Sequence, residues 1–437
     1  MSADGITHGR VLRIALPVVL SNATVPLLGA VDTAVVGQLG AAAPIGAVGI
    51  GAVILSSLYW IWGFLRMGTT GLAAQARGAG DREELSALLS RALLIGLGGG
   101  VLLILLQPLL FAGAFRLSPA SAEVEGLARD YLAIRIWAAP AAIAAFGING
   151  WLIAQERTGA VLLLQLVTNG LNILLDLLFV LSFGWGVPGV AAATAIAEGS
   201  GLVLGLWLCR DAFRGTAWRD RARVLDRARL RVMAQVNLDI MIRTVLLLSI
   251  FVSFQFWGAG LGDETLAANQ VLMQFVSVAA FALDGFAFAT EALVGQAFGA
   301  RRLPDLRRSI RLASLWGLGI AAALGAAFAL AGPRIVAVMT TAPEVRAEAA
   351  RFLPWVAAAP VLGLPSWMLD GIFVGATRSR DMRDMTALAV ALYFAAAWPL
   401  LLAWGNHGLW AALTLSWLFR AGTLAARYPA LERAAQA

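Results

Sequence analysis

The sequence predicts an all-α integral membrane protein whose twelve spanning helices form two six-helix lobes related by an internal repeat. The chain contains twelve long apolar stretches, and its second half repeats the first at one constant spacing, which we call the repeat offset. Hydrophobic residues make up 60% of the chain and charged residues only 14%, whereas soluble domains carry roughly a quarter charged residues. This composition leaves no room for a separate soluble domain.

The internal repeat is visible in short matching segments. Residues 72–78 (LAAQARG) align with residues 293–299 (LVGQAFG), which defines the repeat offset, and the same shift pairs Gly150 with Gly371. Because each half has six spans, both halves have the same orientation, related by an axis along the membrane normal. A duplicated bundle of membrane helices is the plan of many secondary transporters.

The spans follow from the length of the apolar runs. A helix needs about 20 mostly apolar residues to cross the hydrocarbon core, and these runs lack the alternation expected of strands. The predicted spans lie near residues 11–38, 45–74, 91–114, 127–152, 158–183, 187–209, 230–257, 265–296, 309–331, 348–374, 384–404 and 407–426. We therefore expect an N-lobe at 1–209, a cytoplasmic linker at 210–229 and a C-lobe at 230–437.

The basic residues predict the orientation of the chain. All 33 are arginines, and most lie at the termini and in alternate loops, including the stretch 210–231. By the positive-inside rule, both termini are cytoplasmic, as expected of a multi-pass protein in a bacterial-type plasma (inner) membrane. This distribution favours contact of the linker with anionic lipid and argues against nucleic acid as a partner.

The histidine and cysteine content argues against an enzyme. The single cysteine, Cys209, excludes an internal disulfide, and the two histidines, His8 and His407, lie in peripheral positions. The chain has no HExxH motif, so we expect neither a zinc site of that type nor any cofactor.

The clearest polar pattern lies on the fifth span. Five polar residues recur at three- and four-residue steps on one face of a leucine-rich helix: Gln165, Thr168, Asn169, Asn172 and Asp176. If Asp32 and Thr194 pack beside Asn172 and Asp176, the four form an all-oxygen pocket that could hold Na⁺. Two neighbouring carboxyls can also share a proton. The alternative is a hydrogen-bonded polar cluster that only specifies helix packing.

Further carboxylates within spans are secondary candidates, because a charge in the bilayer interior is costly and usually functional. These candidates are Glu198, Asp239, Asp284, Glu291 and Asp370. Asp239 and Arg243 are one helical turn apart and could simply neutralise each other.

Two prolines, Pro17 and Pro26, lie within the first span. Proline inside a helix removes a backbone hydrogen bond and kinks the axis. The two residues predict either a static kink or a hinge that repositions Asp32.

Several segments resemble the multidrug and toxic compound extrusion (MATE) family, specifically its DNA-damage-inducible protein F (DinF)-like branch. The resemblance covers nearly the whole chain, and the segment 283–296 in the eighth span is its most specific part. The segments that show it are 15–17, 31–40, 71–75, 149–150, 172–176, 283–296 and 369–377.

The resemblance implies a V-shaped bundle of twelve helices that exports drugs in exchange for an inward flow of H⁺ or Na⁺. In this branch an N-lobe carboxylate pair is the usual coupling site. It maps onto Asp32 and Asp176, with Asn149, Asn172 and Thr194 around them. A bend in the first helix, which the family associates with coupling, fits its two prolines.

Two functions are open at this point. The first is a multidrug efflux antiporter for organic cations or amphipathic drugs, working by alternating access as a monomer. The alternative is a flippase for an amphipathic lipid or lipid-linked substrate, which should line its cavity with arginines. The sequence assigns only Arg66, Arg135 and Arg243 to spans, so the antiporter is the leading hypothesis.

Overall fold

Helices make up nearly all of the described chain. The computed structural model describes residues 5–117 and 121–436, the side chains at 25–27, 30 and 117 excepted, and these residues form no strand. The helices are α1 (His8–Gly37), α2 (Ala42–Ile61), α3 (Phe64–Gly78), α4 (Arg82–Leu117), α5 (Ala122–Arg135), α6 (Ala139–Ala154), α7 (Thr158–Asp176), α8 (Gly186–Leu208), α9 (Arg221–Val224), α10 (Arg227–Ala259), α11 (Asp263–Gly299), α12 (Leu303–Met339), α13 (Pro343–Gly375), α14 (Ser379–Trp404) and α15 (Asn406–Ala434).

All twelve predicted spans lie on these helices, so the all-α prediction is confirmed. Eleven helical stretches of the described chain are long and apolar enough to cross a membrane, and they contain every predicted span after the first. The first predicted span lies on α1, which is 30 residues long. Three of the eleven are composite: α2 and α3 form one stretch, α5 and α6 form another, and α7 is joined to the π-helical turn Leu177–Ser182.

The helix boundaries confirm the internal repeat. Four pairs of helices have first residues separated by the repeat offset: α2 and α11, α4 and α12, α5 and α13, and α7 and α14. The first half is nevertheless less regular. A short 3-10 turn, Ile136–Ala138, separates α5 from α6, and a π-helical turn, Leu177–Ser182, follows α7. Their counterparts in the second half lie within the uninterrupted helices α13 and α14.

The chain divides into two compact units. The N unit comprises Leu20–Ala73 and Asp81–Val232, and the C unit comprises the residues up to Val19, Ala74–Gly80 and everything from Met233 onward. Two short stretches of the first half therefore belong to the C unit. The predicted lobe boundaries, 1–209 and 230–437, remain a prediction.

Within the C unit, two repeat-related glycines pack against backbone. A Cβ atom on Gly78 would lie 2.0 Å from the carbonyl oxygen of Gln296, and one on Gly299 would lie 2.1 Å from that of Gln75. Because the repeat offset relates position 78 to 299 and position 75 to 296, the two contacts are equivalent. Small residues permit such close helix approach in membranes.

The C unit has an aromatic core. Phe254, Tyr393 and Trp410 are almost fully buried within one apolar cluster. Trp410 packs edge-on against Phe254, with ring centroids 5.0 Å apart, and donates its indole N–H to Asn269 Oδ1 at 2.9 Å. Buried tryptophan usually finds a partner for its N–H in this way.

Candidate functional site

The polar face of α7 contacts α1 within the N unit. Asn169 donates a hydrogen bond to Thr24 Oγ1 at 3.0 Å and accepts one from Gln165 at 2.8 Å. The three- and four-residue spacing of the polar side chains places them on one side of α7, as predicted. This side faces protein, since Asn169 and Asn172 are at most 6% exposed.

Four predicted side chains form one cluster, which we call the carboxyl cluster: Asp32, Asn172, Asp176 and Thr194. The Asn172 amide, oriented to satisfy its hydrogen bonds, donates from Nδ2 to Asp32 Oδ1 and to Asp176 Oδ2, each at 3.3 Å. Its oxygen accepts from Thr194 Oγ1 at 3.0 Å. The amide is therefore the link between the two carboxyls and α8.

The two carboxyls of the cluster are also within hydrogen-bond reach of each other. An ionised carboxylate has no proton to donate, so a hydrogen bond between Asp32 and Asp176 needs a proton on one of them. Asp176 is completely buried, whereas Asp32 is half-buried. Asp176 Oδ1 has no hydrogen-bond partner among the described residues, which leaves one buried acceptor available.

Sequence reasoning missed an ion pair beside the cluster. Arg135 donates two hydrogen bonds to Glu198, at 2.9 and 3.0 Å, and lies close enough to Asp32 and Asp176 to interact with them electrostatically. Tyr131 is also in contact with Arg135. Glu198, a predicted secondary candidate, is thus neutralised by a two-pronged pair. The available signal was the presence of Arg135 and Glu198 within predicted spans.

Asn149 is not part of this hydrogen-bond network. Its Oδ1 is buried and has no hydrogen-bond partner among the described residues, and no hydrogen bond joins it to the carboxyl cluster. The structure thus brings together four of the five residues that the resemblance implied.

The two prolines of α1 do not interrupt its helical structure. Helix α1 continues from His8 to Gly37 through Pro17 and Pro26. Their role as a hinge remains a prediction.

One candidate carboxylate of the C unit, Asp370, has two arginine partners. Asp370 forms ion pairs with both Arg243 and Arg420. Arg420 was not counted among the arginines within spans, although it lies inside the twelfth predicted span. The two arginines leave this buried group with a net positive charge.

Asp239 is the acceptor of a separate network. It accepts hydrogen bonds from Arg383 at 2.7 Å, Ser379 at 2.8 Å and Gln235 at 2.9 Å. The prediction that Asp239 and Arg243 neutralise each other is therefore wrong. Arg243 is one turn further along α10 and pairs with α13 instead.

The other two candidates lie on α11. Glu291 is buried and Asp284 half-buried, and both interact with other residues. The described residues contain no group of three His, Cys, Asp or Glu side chains that could bind a metal ion. A cation at the carboxyl cluster would thus depend on amide and hydroxyl oxygens as well as on carboxylates.

A duplicated bundle of membrane helices with two neighbouring carboxyls inside one half indicates a multi-pass membrane transport protein. The MatE family model matches residues 17–178 and 240–398. DNA damage-inducible protein F of Escherichia coli (strain K12) is 41% identical over 94% of this chain and 90% of its own length. The chain therefore belongs to the MATE family of transporters, in the branch similar to that protein.

More distant relatives agree with this assignment. The probable multidrug resistance protein NorM of Rhizobium meliloti (strain 1021) is 26% identical over 94% of this chain and 93% of its own length. A crystal structure of MATE in the bent conformation superimposes with a TM-score of 0.89 at 20% identity, over 98% of this chain and 97% of that one. The two-lobe MATE fold predicted from the sequence is confirmed.

Proposed function

We propose that this protein is a secondary active antiporter that exports organic cations or amphipathic drugs in exchange for protons. Asp32 and Asp176 form the proton site, and Asn172 and Thr194 position them. The single observation that supports this most is that the carboxyls of Asp32 and Asp176 lie within hydrogen-bond reach of each other, since a hydrogen bond between them needs a proton on one of the two. The relatives named for multidrug resistance support the substrate class.

The choice of H⁺ over Na⁺ rests on the Asn172 amide. Sodium, like other hard cations, takes oxygen ligands. Assigned so that its hydrogen bonds are satisfied, the amide directs its nitrogen to the two carboxyls and its oxygen to Thr194. This arrangement suits a protonated carboxyl pair, whereas a bound Na⁺ would require the amide to turn around.

Protonation would change the force between α1 and α7. With one proton shared, the pair has a single negative charge and an attractive hydrogen bond. Without it, two like charges would lie within a few ångströms in a low-dielectric interior, where their repulsion is strong. Proton release therefore favours a movement of Asp32 away from Asp176.

We also propose that α1 is the element that transmits this change. The boundary between the two compact units falls between Val19 and Leu20, in the interval between Pro17 and Pro26. Proline weakens the helix by removing backbone hydrogen bonds, so this interval is the easiest part of α1 to bend. Antiport then requires that proton and drug favour different conformations or compete for one.

A lipid flippase is the second candidate, and one observation favours it. Arg243 and Arg420 share the single carboxylate of Asp370, so the buried group has a surplus positive charge that suits an anionic substrate. We propose, in either case, a monomer in the plasma (inner) membrane with cytoplasmic termini, as the arginine distribution favours.

The test is ethidium efflux from proteoliposomes, driven separately by a pH gradient and by a sodium gradient. We expect wild-type efflux to respond to the pH gradient alone, and Asp32→Asn to lose that response. Asp130→Asn is the matched control, because Asp130 is an exposed carboxylate of the same unit. Efflux driven only by sodium would refute proton coupling, and no gradient-driven efflux from folded protein would favour the flippase.

A further inference from the structure

An apolar groove of about 750 Å³ lies in the N unit beside the segment that links the two halves. Its floor is formed by leucines of α4 and α8, among them Leu94, Leu97, Leu202 and Leu206. Its roof is formed by the linking segment, including Trp218. The volume is within the range of roughly 300–1,000 Å³ typical of small-molecule sites. Nothing in the proposed transport cycle uses this groove.

The roof is fixed in place by α4. Ser90 Oγ donates to the carbonyl oxygen of Trp218 at 2.8 Å. Arg91 is only 1% exposed and donates to the carbonyl oxygens of Val224 at 2.9 Å and Arg223 at 2.8 Å. A buried arginine bound to two carbonyls of one segment attaches that segment to α4, and this attachment forms one side of the groove.

Two arginines line the groove without an ion pair. Arg219 and Arg221 are exposed, and neither pairs with a carboxylate of any described residue. Other arginines of the same segment are neutralised: Arg214 pairs with Asp211, Arg223 with Glu83, and Arg229 with Glu84. Arg219 and Arg221 therefore place unpaired positive charge at the groove.

The floor continues as a stripe of exposed apolar residues along α4. Leu94, Leu97, Val101 and Leu105 are between 38% and 71% exposed and are three or four residues apart, so they lie on one helix face. From the first to the last, this face is about 16 Å long at a rise of 1.5 Å per residue. In a membrane helix such a face contacts lipid chains. The groove is the end of this lipid-facing stripe at which the arginines lie.

We propose that the groove binds one anionic phospholipid from the surrounding bilayer. Its phosphate would lie between Arg219 and Arg221, with one acyl chain along the groove leucines and the α4 stripe. Basic pockets between membrane helices bind anionic headgroups in this way. Trp218 at the rim matches the preference of tryptophan for the membrane interface. A soluble peptide would not match the stripe, which extends into the apolar layer.

The proposal is tested by native mass spectrometry of the purified full-length protein with phosphatidylglycerol or with phosphatidylcholine of identical chains. We expect tighter binding of phosphatidylglycerol by the wild type. Each arginine near an anionic headgroup adds roughly fivefold in affinity, so the double variant R219Q/R221Q should bind phosphatidylglycerol about 30-fold more weakly. The matched control, R227Q/R231Q, removes the same charge from exposed positions outside the groove lining and should change affinity less than about twofold.

A second variant tests the apolar half of the site. Leu206→Trp fills the groove and leaves both arginines in place, so it should also weaken phosphatidylglycerol binding. Equal binding of the two lipids by the wild type, equal loss in both double variants, or unchanged binding by Leu206→Trp would each overturn the proposal. The readout is lipid binding alone, so the result is independent of whether the protein is an antiporter.

Discussion

The two halves of the chain have different chemistry at repeat-related positions. By the repeat offset, Asp32 corresponds to Ser253 and Asn172 corresponds to Tyr393. The Ser253 and Tyr393 hydroxyls are 3.0 Å apart and form a neutral hydrogen bond. The equivalent helices thus meet at polar side chains in both halves, but only the first half has a charge at the contact.

Asp176 shows the same contrast. Its counterpart, Ala397, is completely buried. A helix pair of this architecture therefore folds with serine, tyrosine and alanine where the first half has aspartate, asparagine and aspartate. The comparison teaches that helix packing alone does not require the carboxyls, which favours a functional role for them.

The backbone of the two halves also differs next to these positions. The π-helical turn Leu177–Ser182 begins directly after Asp176, whereas α14 runs through the equivalent positions without interruption. A π-helical turn within an α-helix is rare, and those that occur are often found at functional sites. Irregular backbone and unneutralised carboxyls therefore coincide in the N unit.

The largest expected effect is the loss of proton-driven efflux when a carboxyl of the first half is removed. The matched comparison removes a neutral hydrogen bond in the second half. Asp176→Asn should reduce proton-driven efflux to background, because an amide cannot take up and release the coupling proton. One proton sustains about a tenfold substrate gradient per pH unit, and that gradient should disappear. Accumulated ethidium in proteoliposomes with an imposed pH gradient measures it.

Ser253→Ala is the matched change at the repeat-related position of Asp32. It removes only a neutral hydrogen bond, so efflux should stay within about threefold of wild type, as expected for a loss near 0.5 kcal/mol. Equal loss in Ser253→Ala and Asp176→Asn would remove the distinction between the two halves.

The next largest effect is on stability. Removing a carboxylate should destabilise the protein in the second half but not in the first. Asp370→Asn leaves Arg243 and Arg420 buried without their carboxylate, which should destabilise the fold by about 3–5 kcal/mol. Asp32→Asn instead removes a like charge beside Asp176 and should leave stability unchanged or higher. Thermal unfolding in detergent, compared with wild type, measures both.

Arg243→Gln sharpens this prediction. It leaves one arginine and one carboxylate, Arg420 and Asp370, so its melting temperature should lie between those of the wild type and Asp370→Asn. A larger loss in Arg243→Gln than in Asp370→Asn would contradict the view that Asp370 neutralises both arginines.

The sequence was sufficient for features that depend on a single helix. Run length identified the twelve spans, and the spacing on α7 placed Asn172 and Asp176 on one buried face. Pairs between distant helices could not be derived in this way. Arg135 and Glu198 are 63 residues apart, and Arg420 and Asp370 are 50 apart, so their contacts depend on which helix faces meet. Periodicity within one helix does not contain that information.

A moderate effect is expected where the two halves are equivalent. Gly78→Ala and Gly299→Ala should each destabilise the protein by about 1–3 kcal/mol, because the added methyl would overlap a carbonyl oxygen of α11 or α3. The repeat predicts similar losses for the two variants. Thermal unfolding of both proteins in the same detergent measures the difference.

Gly98→Ala and Gly319→Ala are the matched controls. The repeat offset relates these two glycines as well, and a Cβ on either would meet no described atom within 4 Å. Alanine has the higher helix propensity, by up to about 1 kcal/mol, so both controls should be neutral or slightly stabilising. Destabilisation of the controls equal to that of the first pair would show that the close contacts are not the cause.

The smallest effect is expected at the only cysteine. Cys209 follows α8, is completely buried, and corresponds to Ala430 in the second half. Burial raises the pKa of its thiol to about 12. Since the thiolate is the reactive form, only a very small fraction of these thiols is ionised at pH 7, and that fraction rises about tenfold per pH unit. Maleimide labelling should therefore be very slow at pH 7 and accelerate with pH.

Cys209→Ala should leave efflux unchanged and cost less than about 1 kcal/mol, because a buried free cysteine acts as a small apolar side chain. That variant is also the control for the labelling experiment, because the sequence contains no other cysteine. Labelling of Cys209→Ala at the wild-type rate would show that the reaction is not with the thiol.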